Sequence, residues 1–152
     1  RHILEREVEN YQRLIGDNRA VGELDHPSTS TIALDRVSHV VKEMHWEGND
    51  LIGSIELLNT PTGKIAQALV EDGIKLGISS RGVGSVYKDG DYSVVGDDYL
   101  LICLDLCQEP STVSAFMLAE GMEINFDIDQ HLKSSDKIHR LLSNALNRLK
   151  SS

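Results

Sequence analysis

Leu76-Gly77-Ile78-Ser79-Ser80-Arg81-Gly82-Val83-Gly84-Ser85-Val86 carries the densest local information in this chain. Ile74, Leu76 and Ile78 fall on alternate positions, which predicts a strand that turns one face to an apolar core and sets Gly77, Ser79 and Arg81 on the other. Ser79 then points away from the core, and Ser80 shares the apolar parity. Glycines crowd the segment, as they do where backbone bends into a bulge or closely approaches a ligand, and a bulge would exchange the two serines. Ser-Ser-Arg-Gly also suits a plain turn after an edge strand. The flanking sequence has to choose.

Upstream, Ile3, Leu4, Val8, Tyr11, Leu14 and Ile15 recur at helical spacing until Gly16-Asp17-Asn18, predicting an amphipathic helical arm over 1–18. Val21 to Pro27 reads as a short strand entering a turn, because Pro27 forces His26 into extended geometry. His26 sits on a constrained backbone, as a surface turn residue or as a positioned imidazole. Arg36 to Trp46 is rich in strand formers but irregular in period, and Glu47-Gly48-Asn49-Asp50 separates it from a second strand over Leu51 to Leu58, a hairpin. Thr60 caps the helix that follows, Pro61 takes its first position, and Ile65, Ala66, Leu69 and Val70 form its apolar stripe up to Gly73.

Downstream, turns at Asp89-Gly90-Asp91 and Gly96-Asp97-Asp98 flank a strand from Tyr92 to Val95 and precede the run Tyr99 to Cys107. There Asp105 is a lone carboxylate in an apolar strand. Either it is buried with a partner, for which an imidazole is suited, or its face reaches solvent. Ser111 to Ala119 fits a short helix, Met122 to Phe126 a strand, and Ser135-Asp136 caps a C-terminal helix over 134–150.

The 152 residues suit a single domain with its own core. With 15 Lys and Arg against 24 Asp and Glu, the net charge of −9 argues against nucleic-acid binding, which needs a cationic surplus. No apolar run is long enough to span a membrane and no signal peptide is visible, although the first residue is Arg1 rather than Met. Cys103 and Cys107 lie four apart in a strand, too distant to bond, so buried thiols in a reducing compartment are expected.

Five segments in fixed order resemble the prohead core protein serine proteases of T-even-type phages. They are Gly-Glu-Leu-Asp-His-Pro at 22–27, Leu-Asp-Arg-Val-Ser-His at 34–39, Asn-Thr-Pro-Thr-Gly at 59–63, Gly-Ile-Ser-Ser-Arg-Gly-Val-Gly-Ser at 77–85 and Asp-Leu-Cys-Gln-Glu-Pro-Ser at 105–111. The resemblance implies an α+β fold, a small mostly antiparallel β-barrel surrounded by helices and related to the herpesvirus assembly proteases. It carries a catalytic histidine over to His26 and a serine to Ser79, with Ser80 in reserve, and Asp105 stands where a third member belongs. It implies cleavage of phage scaffold and shell proteins after glutamate, with Leu or Ile two positions before the cut and a small residue after it. The setting implied is the procapsid in the host bacterial cytoplasm, and the state a homo-oligomer with no metal or cofactor.

In these roles Ser79 attacks the scissile carbonyl, His26 carries the proton and Asp105 holds the imidazole. Backbone N–H groups near Gly82 are oxyanion-hole candidates, and Arg81 either holds an oxyanion water or pairs with the substrate glutamate. Leu118-Ala119-Glu120-Gly121 fits the implied cleavage pattern closely and Ile3-Leu4-Glu5 partly, which makes Glu120 and Glu5 candidate self-cleavage sites. Two other readings compete. One is a metal-dependent hydrolase using His26, His39 and His45, whose spacing matches no established ligand pattern; the other is a non-catalytic head-assembly protein.

Overall fold

The N-terminal helix α1 (His2–Gly16) packs Val8 and Tyr11 against Ala20, Val41 and Met44, the first of two apolar clusters. A computed structural model describes residues 2–112 and 114–118 of the chain. Glu7 pins the helix to the sheet: its buried carboxylate accepts the Leu101 N–H at 2.9 Å, and Arg6 Nε donates to the same side chain. After a left-handed Asn18 the chain enters β1 (Val21–Glu23), shorter than expected because Asp25, at φ 68°, turns it out of extended geometry.

A short 3-10 turn (Leu34–Arg36) leads to β2 (Val37–Glu47), which lies between β1 and β3 (Asp50–Leu57) in an antiparallel three-stranded sheet. Val37 to Val41 are all buried, and the register shifts between Val41 and Glu43. Cover on both faces plus a bulge explains why this stretch shows no clean alternation. Helix α2 (Pro61–Glu71) begins as its sequence demands: Thr60 accepts the Gly63 N–H at 3.0 Å, and Gly73 leaves at φ 80°. Its Ala66, with Leu69 and Val70, joins Leu76 and Leu106 in the second apolar cluster, whereas Ile65 faces outward.

β4 (Gly77–Val83) then pairs antiparallel with β7 (Leu100–Cys107), while β5 (Val86–Asp89) and β6 (Tyr92–Val95) form a separate hairpin. Segment 115–117 is not the expected helix. It runs beside β4 instead, Ala115 accepting the Ile78 N–H at 2.7 Å and Met117 donating to Leu76 at 2.9 Å.

The architecture is therefore α+β with mostly antiparallel strands, but the described strands do not close into the expected barrel. Their ladders fall into three sheets, joined between β1 and β7 only by a parallel bridge from Leu24 to Leu106. The bulge at Glu23 and the turn at Asp25 stop β1 from continuing along β7. Cys103 and Cys107 are buried free thiols. The expected strand at 122–126, the helix at 134–150 and hence the full extent of a 1–152 domain lie outside the described residues.

Candidate active site

In the β4–β7 ladder Ser79 faces Asp105 and Arg81 faces Cys103. Directly opposed residues share a sheet face, so the alternation read from sequence holds: Ile78 packs into the apolar cluster and Ser79 with Arg81 takes the other side. That other side is not solvent. Ser79 and Arg81 are each 4% exposed and Asp105 is 0%. The loop after β1 lies over them, its Thr29 carbonyl accepting from Arg81 Nη1 at 3.0 Å. The register shift falls between Arg81 and Gly82, beyond both serines, so it does not exchange them. Ser80 stays on the opposite side, exposed and bonded to the Tyr99 hydroxyl.

Asp105 is buried among donors. Its Oδ1 accepts the Glu23 N–H at 3.1 Å and Arg81 Nη2 at 3.1 Å, with the Cys103 thiol at 3.2 Å. Its Oδ2 lies 3.0 Å from Arg81 Nε and 3.1 Å from His26 Nδ1, within ion-pairing distance although neither N–H is aligned for a full hydrogen bond. The backbone supplies this juxtaposition. Leu24 bridges Leu106, Asp25 donates its N–H to the Leu106 carbonyl at 2.8 Å, and the left-handed turn there delivers His26 beside the carboxylate. The imidazole is 37% exposed, one edge on the carboxylate.

The serines are less closely tied to His26. Ser79 Oγ lies 3.1 Å from Ser111 Oγ, and among the described residues no hydrogen bond joins His26 to Ser79 or Ser80. The geometry thus unites His26 with Asp105 directly, and Ser79 with Asp105 across the ladder.

Arg81 is placed differently from its expected role as an oxyanion or substrate contact. Its guanidinium is buried and engaged by Glu23, Asp105, the Thr29 carbonyl and Cys103. Burial works against the cation, but the bonds to Cys103 and Glu23 and the attraction of Asp105 outweigh it and raise its pKa. Gly82 sits at the bulge, where a Cβ would lie 2.5 Å from the Tyr99 ring. Cys103 is pushed up to about 12, chiefly by burial and then by Asp105, which keeps it a neutral thiol.

Glu5 lies within α1, next to an Ile3 whose side chain is buried, so this candidate cleavage site is helical in the folded chain. Glu120 lies outside the described residues. The histidines of the metal reading separate. His39 is wholly buried between the Ser38 hydroxyl and the Leu104 carbonyl, each at 2.9 Å, and His45 pairs with Glu47 on the surface. No group of three or more His, Cys, Asp or Glu among the described residues is arranged to hold a metal ion.

Sequence reasoning missed Glu23 and Ser111. Glu23 is 0% exposed and pairs with Arg81. The signal that flagged Asp105, a carboxylate inside a short strand, applied to Glu23 equally.

Comparison with known proteins places the chain in a family. The family model "prohead core protein serine protease" matches residues 1–125. A prohead core protein protease of Enterobacteria phage T4 is 29% identical over 123 residues, which cover 77% of this chain and 58% of that relative's length. The solved structure of the bacteriophage T4 capsid assembly protease, gp21, superposes with a TM-score of 0.66 at 28% identity, covering 72% of this chain and 70% of that one. The family match spans more than two thirds of the sequence, and the chain belongs to the prohead core protein serine proteases.

Proposed function

We propose that this chain is the serine endopeptidase of procapsid maturation, with Ser79 as nucleophile, His26 as general base and acid, and Asp105 as the carboxylate behind the imidazole. The observation that carries the reading is His26 Nδ1 at 3.1 Å from a wholly buried Asp105 that faces Ser79 across the ladder. With Nδ1 turned to the carboxylate, Nε2 is the nitrogen left for the serine proton. Ser79 Oγ adds to the scissile carbonyl carbon as its proton passes to His26. Collapse of the tetrahedral intermediate expels the amine, which takes that proton, and water then repeats the sequence on the acyl-enzyme.

The developing oxyanion is met by backbone N–H groups of β4. Ile78 donates to the edge away from β7, and by strand parity the Ser80 N–H lies on that same edge, one residue after the nucleophile. The substrates are scaffold and shell proteins of the immature head, cut after Glu with Leu or Ile two positions before. The enzyme works as a homo-oligomer inside the procapsid, in the host cytoplasm, and processes itself after Glu120. The net charge of −9 suits a protein that leaves nucleic acid alone.

The test is cleavage of a Leu-x-Glu-Gly peptide by the wild-type chain and by Ser79→Ala, with intact mass followed in parallel for cleavage after Glu120. Turnover lost in Ser79→Ala supports the reading. Equal turnover in both chains, or none in wild type, sinks it and leaves the non-catalytic assembly role.

A further inference from the structure

Behind the His26–Asp105 pair lies a second buried ion pair, Arg81 with Glu23, and we infer that Glu23 and Arg81 are positioning residues that fix Asp105, and through it His26, for the proposed peptidase chemistry. This rests on the peptidase reading for its catalytic consequence, but its structural content stands on geometry alone.

The guanidinium reaches both oxygens of Asp105, Nη2 to Oδ1 at 3.1 Å and Nε to Oδ2 at 3.0 Å. One hydrogen bond and one ion-pair contact from the same planar group orient the carboxylate at two points, where a single contact would leave it free to rotate. Glu23 in turn holds Arg81 Nη2 from the far side while its own N–H donates to Asp105 Oδ1 at 3.1 Å. One residue thus grips the carboxylate with its backbone and the carboxylate's partner with its side chain. The same two residues hold the loop that carries His26. Arg81 Nη1 donates to the Thr29 carbonyl at 3.0 Å, and Glu23 Oε1 accepts the Ala33 N–H at 3.2 Å.

Carboxylates and guanidiniums alternate through this cluster. Glu23 and Asp105 are wholly buried with one buried guanidinium between them. A second guanidinium adjoins the cluster: the buried Nε of Arg36 lies 3.6 Å from Glu23, and its Nη2 lies 4.0 Å from the exposed Asp25. Cys103 and Cys107 of β7 are kept as neutral thiols mainly by burial.

The experiment compares the full chain with Glu23→Gln, Glu23→Asp and Arg81→Lys by two readouts: steady-state cleavage of the Leu-x-Glu-Gly peptide, and the tautomer of the neutral His26 imidazole from its ring nitrogen NMR shifts. The expected result is a predominantly Nδ1–H tautomer in wild type that becomes mixed in Glu23→Gln. With it, kcat should fall by roughly tenfold and KM should stay within about twofold, as for groups that act only through another residue. Glu23→Asp should recover part of both. Arg81→Lys, which keeps the charge and loses the planar group, serves as the second variant should Glu23→Gln not fold, and should show the same mixed tautomer. A folded Glu23→Gln or Arg81→Lys with wild-type tautomer and wild-type kcat overturns the inference. A wild-type chain that cleaves no peptide counts against the peptidase reading alone, because the tautomer readout needs no turnover and still decides the positioning.

Discussion

Ser79 and Ser80 are neighbours in sequence and opposites in environment. One is buried against Ser111 and faces Asp105; the other is exposed beside Tyr99. Ser79→Ala should lower peptide kcat by about 10³-fold or more, the usual cost of losing a nucleophile, while Ser80→Ala should stay within about threefold. Turnover numbers for the two variants check this, and a reversed order would make Ser80 the nucleophile. Gly22 makes a comparable point about packing. A Cβ there would lie 2.1 Å from the Leu104 carbonyl and 2.4 Å from His39 Nε2, so Gly22→Ala should destabilise the fold by about 3 kcal/mol in urea melts. Wild-type stability in that variant would mean the close approach of β1 to β7 is not required.

The best-specified element is α2, because its start depends on local chemistry. Thr60 caps it while its hydroxyl, with that of Thr62, donates to the Val37 carbonyl. Thr60→Ala should therefore cost about 1 kcal/mol, read from denaturation midpoints. Gly63 is more demanding still, since a Cβ would sit 1.9 Å from the Leu58 carbonyl. The strands were legible in another way. Alternation in 74–81 correctly separated Ile78 from Ser79, and the hairpin of β2 and β3 followed from its turn. The bulge was foreseen in kind but not in place. Its position between Arg81 and Gly82 follows from pairing with β7, which no local pattern encodes.

At the scale of the molecule, burial of His39 couples stability to pH. Nε2–H donates to the Leu104 carbonyl and Nδ1 accepts from Ser38, an arrangement that needs the neutral ring, and burial lowers its pKa below the ordinary 6.5. A depressed histidine pKa gives stability that is complete above the unfolded value and lost as pH falls through the folded one. Unfolding free energy should decline as pH drops below about 6.5, and His39→Gln should flatten that slope. Glu7, whose carboxylate burial disfavours but whose bonds from Leu101, Arg6 and Asn10 hold below the usual range, adds its loss only below about 4.5. Urea melts from about pH 3 to about pH 8 separate the two windows. An unchanged slope in His39→Gln would assign the effect elsewhere.

Helices α1 and α2, the capping at Thr60, the parity of β4, and the choice of His26, Ser79 and Asp105 as candidates were legible in the chain alone, because each rests on chemistry between near neighbours or on motifs in fixed order. Long-range packing settled the rest: what covers the polar face, that Arg81 is buried, that Glu23 stands behind it, and that the described strands form three sheets instead of a closed barrel. Alternation reports which residues share a face, not what lies against it. The contacts that answer the second question join β1 to β4 and β7, segments brought together only when the chain folds.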